Sequence, residues 1–325
     1  MSPKRRLLNC VGLVGALLCA GPAAAQAAPA GYPAKPITLI LPSSAGSTLD
    51  MIARQVGERL TRRLGQPVIV ENRAGASGII AYDLVARAKP DGYTLGMVQA
   101  SFVSNRFLLK AAQYDEFKDY TPVAMVARSP MVLIARQAFP ASTVAQLREV
   151  TLASPGTVTY ASTNGANQMN MELVRKALEL DIRNVPYRDS AQAVTDVMAG
   201  HVDTNLAPYT VARPLVQSGK VKVFVTTGRN RLSALPDVPT ASELGLPVDI
   251  HTWAGFVAPA GVPEEIVALL HEEIGRIAAQ PDFLEWLTGA GYESFVISRP
   301  EFVDLMHREI ATYAEVAQEI RIQPE

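Results

Sequence analysis

Thiols are almost missing from this chain: its two cysteines, Cys10 and Cys19, both fall in the N-terminal segment. There, Lys4, Arg5 and Arg6 precede an apolar run from Leu7 to Ala20, broken by Gly21-Pro22 and followed by Ala23-Ala-Ala25 and Ala25-Gln-Ala27. This is the pattern of a cleaved secretory signal over residues 1–27, with two overlapping small-x-small cleavage sites. The run is too short to span a bilayer, and no later segment is long and apolar enough to anchor the chain. Leu18 directly before Cys19 argues against lipoprotein processing, which wants a small residue there. A mature chain without thiols has no disulfide and no cysteine-bound metal. The expected location is the periplasm.

Other absences narrow the function. Removing Lys4, Arg5 and Arg6 from the 30 basic residues leaves 27 against 31 acidic ones, a net charge of −4. The basic residues are dispersed with no aromatic-interleaved run, so no nucleic-acid face is expected. His201, His251, His271 and His307 are too scattered for a metal site, and His271, among acids on a helix, reads as a solvated surface residue. No Gly-x-Ser-x-Gly elbow, Walker loop or Gly-x-Gly-x-x-Gly after a strand is present. Asp50, Asp189, Asp196 and Asp203 do not form catalytic pairs; Asp50 in a first helical turn and Asp203 at a turn-to-strand boundary read as structural. No cofactor is expected, and the chain reads as a binder rather than an enzyme.

What is present is a repeated strand, loop and helix. High apolar content (48%) with few aromatics (6%) fits an α/β protein with large parallel sheets, and roughly 300 mature residues suffice for two domains of ordinary size. Strands are predicted at Ile37–Leu41, Val68–Val70, Thr94–Val98, Val123–Val126, Met131–Ala135, Val158–Ala161, Ile182–Val185, Val221–Thr226 and Gly255–Ala258. Helices are predicted at Asp50–Leu64, Ile79–Ala88, Val144–Leu152, Met169–Leu180, Ala191–Met198, Pro263–Ala279, Phe283–Gly289 and Pro300–Gln318. Their alternation implies right-handed parallel crossovers, with the C-terminal helices wrapping an existing sheet.

The first junction is the most informative. Ile37-Thr-Leu-Ile-Leu41 feeds Pro42-Ser-Ser-Ala-Gly-Ser-Thr48 and then a helix with Ile52, Val56, Leu60 and Leu64 on one face. Backbone N–H groups, a helix dipole and the hydroxyls of Ser43, Ser44, Ser47 and Thr48 would converge there, which is the chemistry of an anion cradle. Glu71–Gly78, Tyr160–Gln168 and Val185–Ala191 follow the same logic. In open α/β sheets ligands bind beyond the carboxyl ends of strands, where such loops gather.

In order along the chain stand Tyr32-Pro-Ala-Lys-Pro-Ile37, Pro42 to Asp50 with Ile52-Ala-Arg54, Gly65-Gln-Pro-Val68, Glu71-Asn-Arg73, Pro90-Asp-Gly-Tyr-Thr94, Pro186-Tyr187 with Thr195-Asp196 and Gly200-His-Val-Asp203, Ser233 to Thr240, and Ala258-Pro-Ala-Gly-Val-Pro263. Over essentially the whole mature chain, this resembles the periplasmic solute receptors of tripartite tricarboxylate transporters, the Bug-type receptors. The resemblance implies a type II periplasmic-binding-protein fold of two α/β lobes around a ligand cleft. Lobe 1 would be discontinuous, residues 28–128 plus 253–325, and lobe 2 would be residues 129–252, with crossings near Arg128–Pro130 and Thr252–Gly255.

It further implies a monomer that captures a small organic acid for the membrane permease subunits of such a transporter. Docking on a two-component sensor kinase is the alternative role, and a secreted α/β hydrolase the remote one. The candidate ligand-binding residues are Ser43, Ser44, Ala45, Gly46, Ser47, Thr48, Ser77, Ser101, Ser162, Asn164, Asn167, Arg188, Asp189 and Asn205. Departures from the family pattern are the more polar first loop, the shorter Asn164–Asn170 segment, and Arg188-Asp189 where Lys-Gly is usual. Asp189 is either neutralised by Arg188 at the surface or faces the cleft, selecting a ligand with a carboxylate at one end and an ammonium or hydroxyl at the other.

Overall fold

The computed structural model describes residues 31–163, 165–187 and 190–324; the expected signal segment lies outside them. Strands β1 (Ile37–Leu41), β2 (Val68–Asn72) and β3 (Thr94–Val98) run parallel in the order β2-β1-β3. Helices α1 (Thr48–Leu64) and α2 (Ile79–Ala86) make the crossovers, and a short helix, α3 (Ser101–Ser104), follows β3. The boundaries of α1 are written in its sequence. Ser47 caps it by accepting from the Asp50 N–H, Arg62 and Arg63 sit in the last turn, and Gly65 ends it in the left-handed region. Leu49, Ile52, Ala53, Val56 and Leu60 are buried against β1 and the C-terminal helices, each large apolar side chain contributing roughly 1.5–3 kcal/mol relative to exposure.

The next strand departs from expectation. Val123–Val126 and Met131–Ala135 are parts of one continuous strand, β4 (Tyr120–Arg136). The polar Arg128-Ser-Pro130 interrupts the apolar pattern without interrupting the pairing. A later strand, β9 (His251–Pro259), runs antiparallel beside β4 from Tyr120 to Pro130. From Met131 onward β4 pairs instead with β7 (Thr204–Pro208) and β8 (Val221–Thr226), both antiparallel.

Between them, α4 (Val144–Ala153), β5 (Thr159–Ser162), α5 (Gly165–Ala177), β6 (Arg183–Pro186) and α6 (Ser190–Ala199) build the second parallel set, in the order β6-β5-β7. The parallel-crossover expectation therefore holds for β1–β3 and β5–β7, while β4 and β9 run antiparallel to their neighbours. Strand β7 and the helix after it, α7 (Tyr209–Gln217), are absent from the sequence reading. Asn205 interrupts the apolar run of β7, and Pro214 lies within α7.

After β9 come α8 (Glu264–Ala278), α9 (Pro281–Gly289), the two-residue strand β10 (Glu293–Ser294), which pairs with β4, and α10 (Arg299–Glu319). Helix α10 begins with a capping box between Ser298 and Glu301, with Pro300 in its first turn. It buries Phe302, Met306, Tyr313 and Val316 in a cluster with Tyr82, Phe102, Tyr114 and Tyr120. On α8, His271 is corrected from a solvated residue to a half-buried one whose Nδ1 lies 2.8 Å from the Val123 carbonyl. Among the described residues no helix is long and apolar enough to cross a membrane.

Candidate functional site

A cavity of about 540 Å³ opens beyond the carboxyl ends of β1, β3 and β5, where ligands bind in α/β sheets, and its size is ordinary for a small-molecule site. One wall comes from Pro42, Gly75, Ser77 and Gly78, and a second from Gln99, Ser101, Ser104 and Asn105. Gly165, Ala166 and Gln168 form a third, in the first turn of α5, where backbone N–H groups lack intrahelical partners. Leu108, Leu109, Ile320 and Ile322 add apolar surface.

These walls are held rigidly from behind. Ala76 and Ser77 both take positive φ, between Gly75 and Gly78. A Cβ on Gly78 would come within 2.8 Å of Pro42 and 2.9 Å of the Tyr82 ring, so the β2–α2 loop sits against the β1–α1 loop only because glycine is there. Asn105 donates to the Ser77 carbonyl at 3.1 Å, and the Tyr82 hydroxyl lies 2.9 Å from Ser101 Oγ. Burial pushes the Tyr82 phenol well above its usual range, so it stays neutral. Ser104 is fully buried, and its hydroxyl has no protein partner among the described residues.

Ser77 and Ser101 thus stand in the cavity wall. The first loop is organised differently from the expected cradle, meeting the cavity through Pro42 alone. Its interior holds the chain's own carboxylate: Asp50, 2% exposed, accepts from Gly46 N–H at 2.9 Å, Arg54 Nε at 3.0 Å and Asn72 Nδ2 at 2.9 Å. Burial works against the charge, but these donors and the Arg54 cation outweigh it and hold the carboxyl below the usual carboxylate range. Ser47 Oγ donates to Ser43 Oγ and the Ser47 N–H to the Ser44 carbonyl. Ser44, Ala45 and Gly46 are exposed, and Thr48 is half-buried at the start of α1.

Three further residues of the sequence-based set are buried in the β5–β7 region. Ser162 ends β5, and its carbonyl accepts from the Tyr187 N–H. Asn167 accepts from the Thr163 N–H and donates to the Leu206 carbonyl, while Asn205 donates to the Ala161 carbonyl. The two asparagines therefore tie strands and helix together. Asn164, Arg188 and Asp189 lie outside the described residues.

Sequence reasoning missed Gln99, Ser104 and Asn105, although the polar Gln99-Ala-Ser101 directly after an apolar strand carries the same signal as the other loops. It also missed Ile320–Gln323, which the run of α10 brings to the cavity and no local pattern announces. Among the described residues no group of three or more His, Cys, Asp or Glu is placed to hold a metal ion.

Residues 52–322 match the family model described as tripartite tricarboxylate transporter family receptor. The Bordetella pertussis protein BugT is 30% identical, covering 97% of both chains. Of the solved structures, an R. palustris protein with adipate is 29% identical, with a TM-score of 0.77 over 90% of this chain and 100% of that one. MatC from Rhodopseudomonas palustris, with bound malate, is 31% identical, with a TM-score of 0.71 over 88% of this chain and 99% of that one. The long strand and the two parallel sets it joins thus form the fold of these periplasmic binding proteins, and the chain belongs to the tripartite tricarboxylate transporter family of receptors.

Proposed function

We propose that the protein captures a small organic acid in the 540 Å³ cavity and presents it, as a periplasmic monomer, to the membrane permease subunits of a tripartite tricarboxylate transporter. The observation that carries this reading is the cavity wall itself: neutral hydroxyls and amides, the N-terminus of α5, and a single charged side chain, Arg321, among the described residues. Such a wall binds an anion and supplies no nucleophile with a base, so no catalytic step is assigned. The adipate and malate held by two relatives support the ligand class.

On this reading residues 28–128 with 253–325 form one lobe and 129–252 the other. The change of β4 partners between Pro130 and Met131 supports that division. The exposed Ser44–Gly46 tip would lie at the rim of the cleft.

Calorimetry and thermal shift of the mature protein against mono-, di- and tricarboxylates, aromatic acids, amino acids and nicotinate test it. At least one organic acid is expected to bind at micromolar or tighter affinity, about 8 kcal/mol at the micromolar end. At a hundredfold excess over Kd it should stabilise the fold by about 2.7 kcal/mol. Absence of any carboxylate ligand, or turnover of one of the compounds, would sink the reading.

A further inference from the structure

The segment after α10 holds the cavity's one charged side chain among the described residues, and no carboxylate among them pairs with it. Ile320, Arg321, Ile322 and Gln323 all line the cavity. Arg321 is exposed, with φ of 55°, just past the end of the helix. Its N–H donates to the Gln318 carbonyl, and the next N–H, on Ile322, closes back onto the Ala317 carbonyl at 3.0 Å. Ile320 and Ile322 pack against the aromatic cluster of α10, so the backbone between them is anchored on both sides. The arginine is therefore presented at a fixed place by a packed helix terminus.

We propose that Arg321 is a specificity-determining residue, pairing with the second carboxylate of a dicarboxylate ligand. This rests on the reading of the cavity as a carboxylate site. The hydroxyls of Ser77 and Ser101 and the first turn of α5 suit one carboxylate. A second anionic group meets its counter-ion in Arg321, while Leu108, Leu109, Ile320 and Ile322 offer apolar contact for the carbon chain between. Guanidinium binds carboxylate in two parallel hydrogen bonds, so a diacid gains an interaction that a monoacid of equal length lacks. A monoacid satisfies either the neutral donors or the arginine, and not both.

The test uses calorimetry of the mature full chain and of its R321Q and R321K variants with three matched pairs: butyrate and succinate, hexanoate and adipate, benzoate and terephthalate. Wild type is expected to prefer the diacid of its best pair by at least tenfold. R321Q should bring that preference to within about twofold by weakening the diacid alone, and R321K should retain part of it. The melting temperature of unliganded R321Q should equal that of wild type.

A monoacid preference in wild type, an unchanged preference in R321Q, or an equal loss of both acids in R321Q would each overturn the assignment of Arg321 while leaving the carboxylate reading standing. A wild-type protein that binds no member of the three pairs overturns the diacid assignment, and the wider panel above then decides the carboxylate reading separately.

Discussion

At the scale of single residues, charge in this protein is handled by enclosure. Glu309 on α10 accepts from Trp253 Nε1 at 3.0 and 3.1 Å, and burial, with a smaller push from Asp249, raises its carboxyl to about 8 against the pull of the Trp253 bond and Arg308. His251 on β9 is lowered to about 4 by burial and by Arg128 and Arg229, although Asp249 lies 3.3 Å away. Both line a second cavity, of about 390 Å³, behind the junction of β4 and β9.

The two act on stability with opposite signs. Glu309 folds with a pKa above the unfolded value of about 4.3, so the native state holds the extra proton and stability falls as pH rises from there to about 8. His251 folds with a pKa below the unfolded value of about 6.5, so its contribution is complete above that pH and is lost as pH drops toward 4. Glu309 and His251 oppose each other below about pH 6.5; Glu116, which burial raises to about 7, adds to the fall up to that pH, and beyond it Glu309 is the raised carboxyl still titrating. Denaturant titrations should show stability declining from pH 7 to 8 by up to roughly 1.4 kcal/mol per unit. Glu309→Gln, which keeps an acceptor for the indole, should remove that decline. An equal decline in the variant would show that another group carries it.

At the scale of elements, the decisive contact is between the start of α5 and the turn after α3. A Cβ on Gly165 would overlap the Leu108 side chain, and the Gly165 backbone is not in the left-handed region, so alanine there meets a packing conflict rather than backbone strain. The glycine lets α5 bring its N-terminus to the cavity. Gly165→Ala should weaken ligand binding about tenfold, and adding Leu108→Ala should restore much of the loss, giving a coupled double-mutant cycle. Independent effects of the two changes would mean that this approach does not control binding.

At the scale of the whole molecule, β4 and β9 are the strands that tie the two parallel sets together. Each set supplies walls of the cavity, so a ligand touching both binds best when they approach, and its binding free energy shifts the balance toward closure. Small-angle scattering of the mature protein should show a smaller radius of gyration with saturating ligand. An unchanged radius would count against closure about these strands.

The alternation of short apolar runs with amphipathic ones was enough to place β1, β3 and β8 at their observed bounds and most helices within a few residues, because those elements are set by local periodicity and by caps such as Ser47 and Gly65. The signal pattern, the absence of thiols and the family resemblance are likewise properties of the chain read in order. The cavity wall was legible only where a polar loop follows a strand, as at Ser77 and Ser101, whereas at the start of α5 the residues lining it are Gly165, Ala166 and Gln168 rather than the expected Ser162 and Asn167. Tertiary structure decided the rest. The β9 partnership made one strand of two apolar runs, the Asp50 carboxylate claimed donors of the first loop, and the course of α10 carried Arg321 to a cavity more than two hundred residues away in sequence from Ser77 and Ser101. Hydrogen-bond partners and the destination of a helix depend on what is packed beside them, and no window of neighbouring residues contains that information.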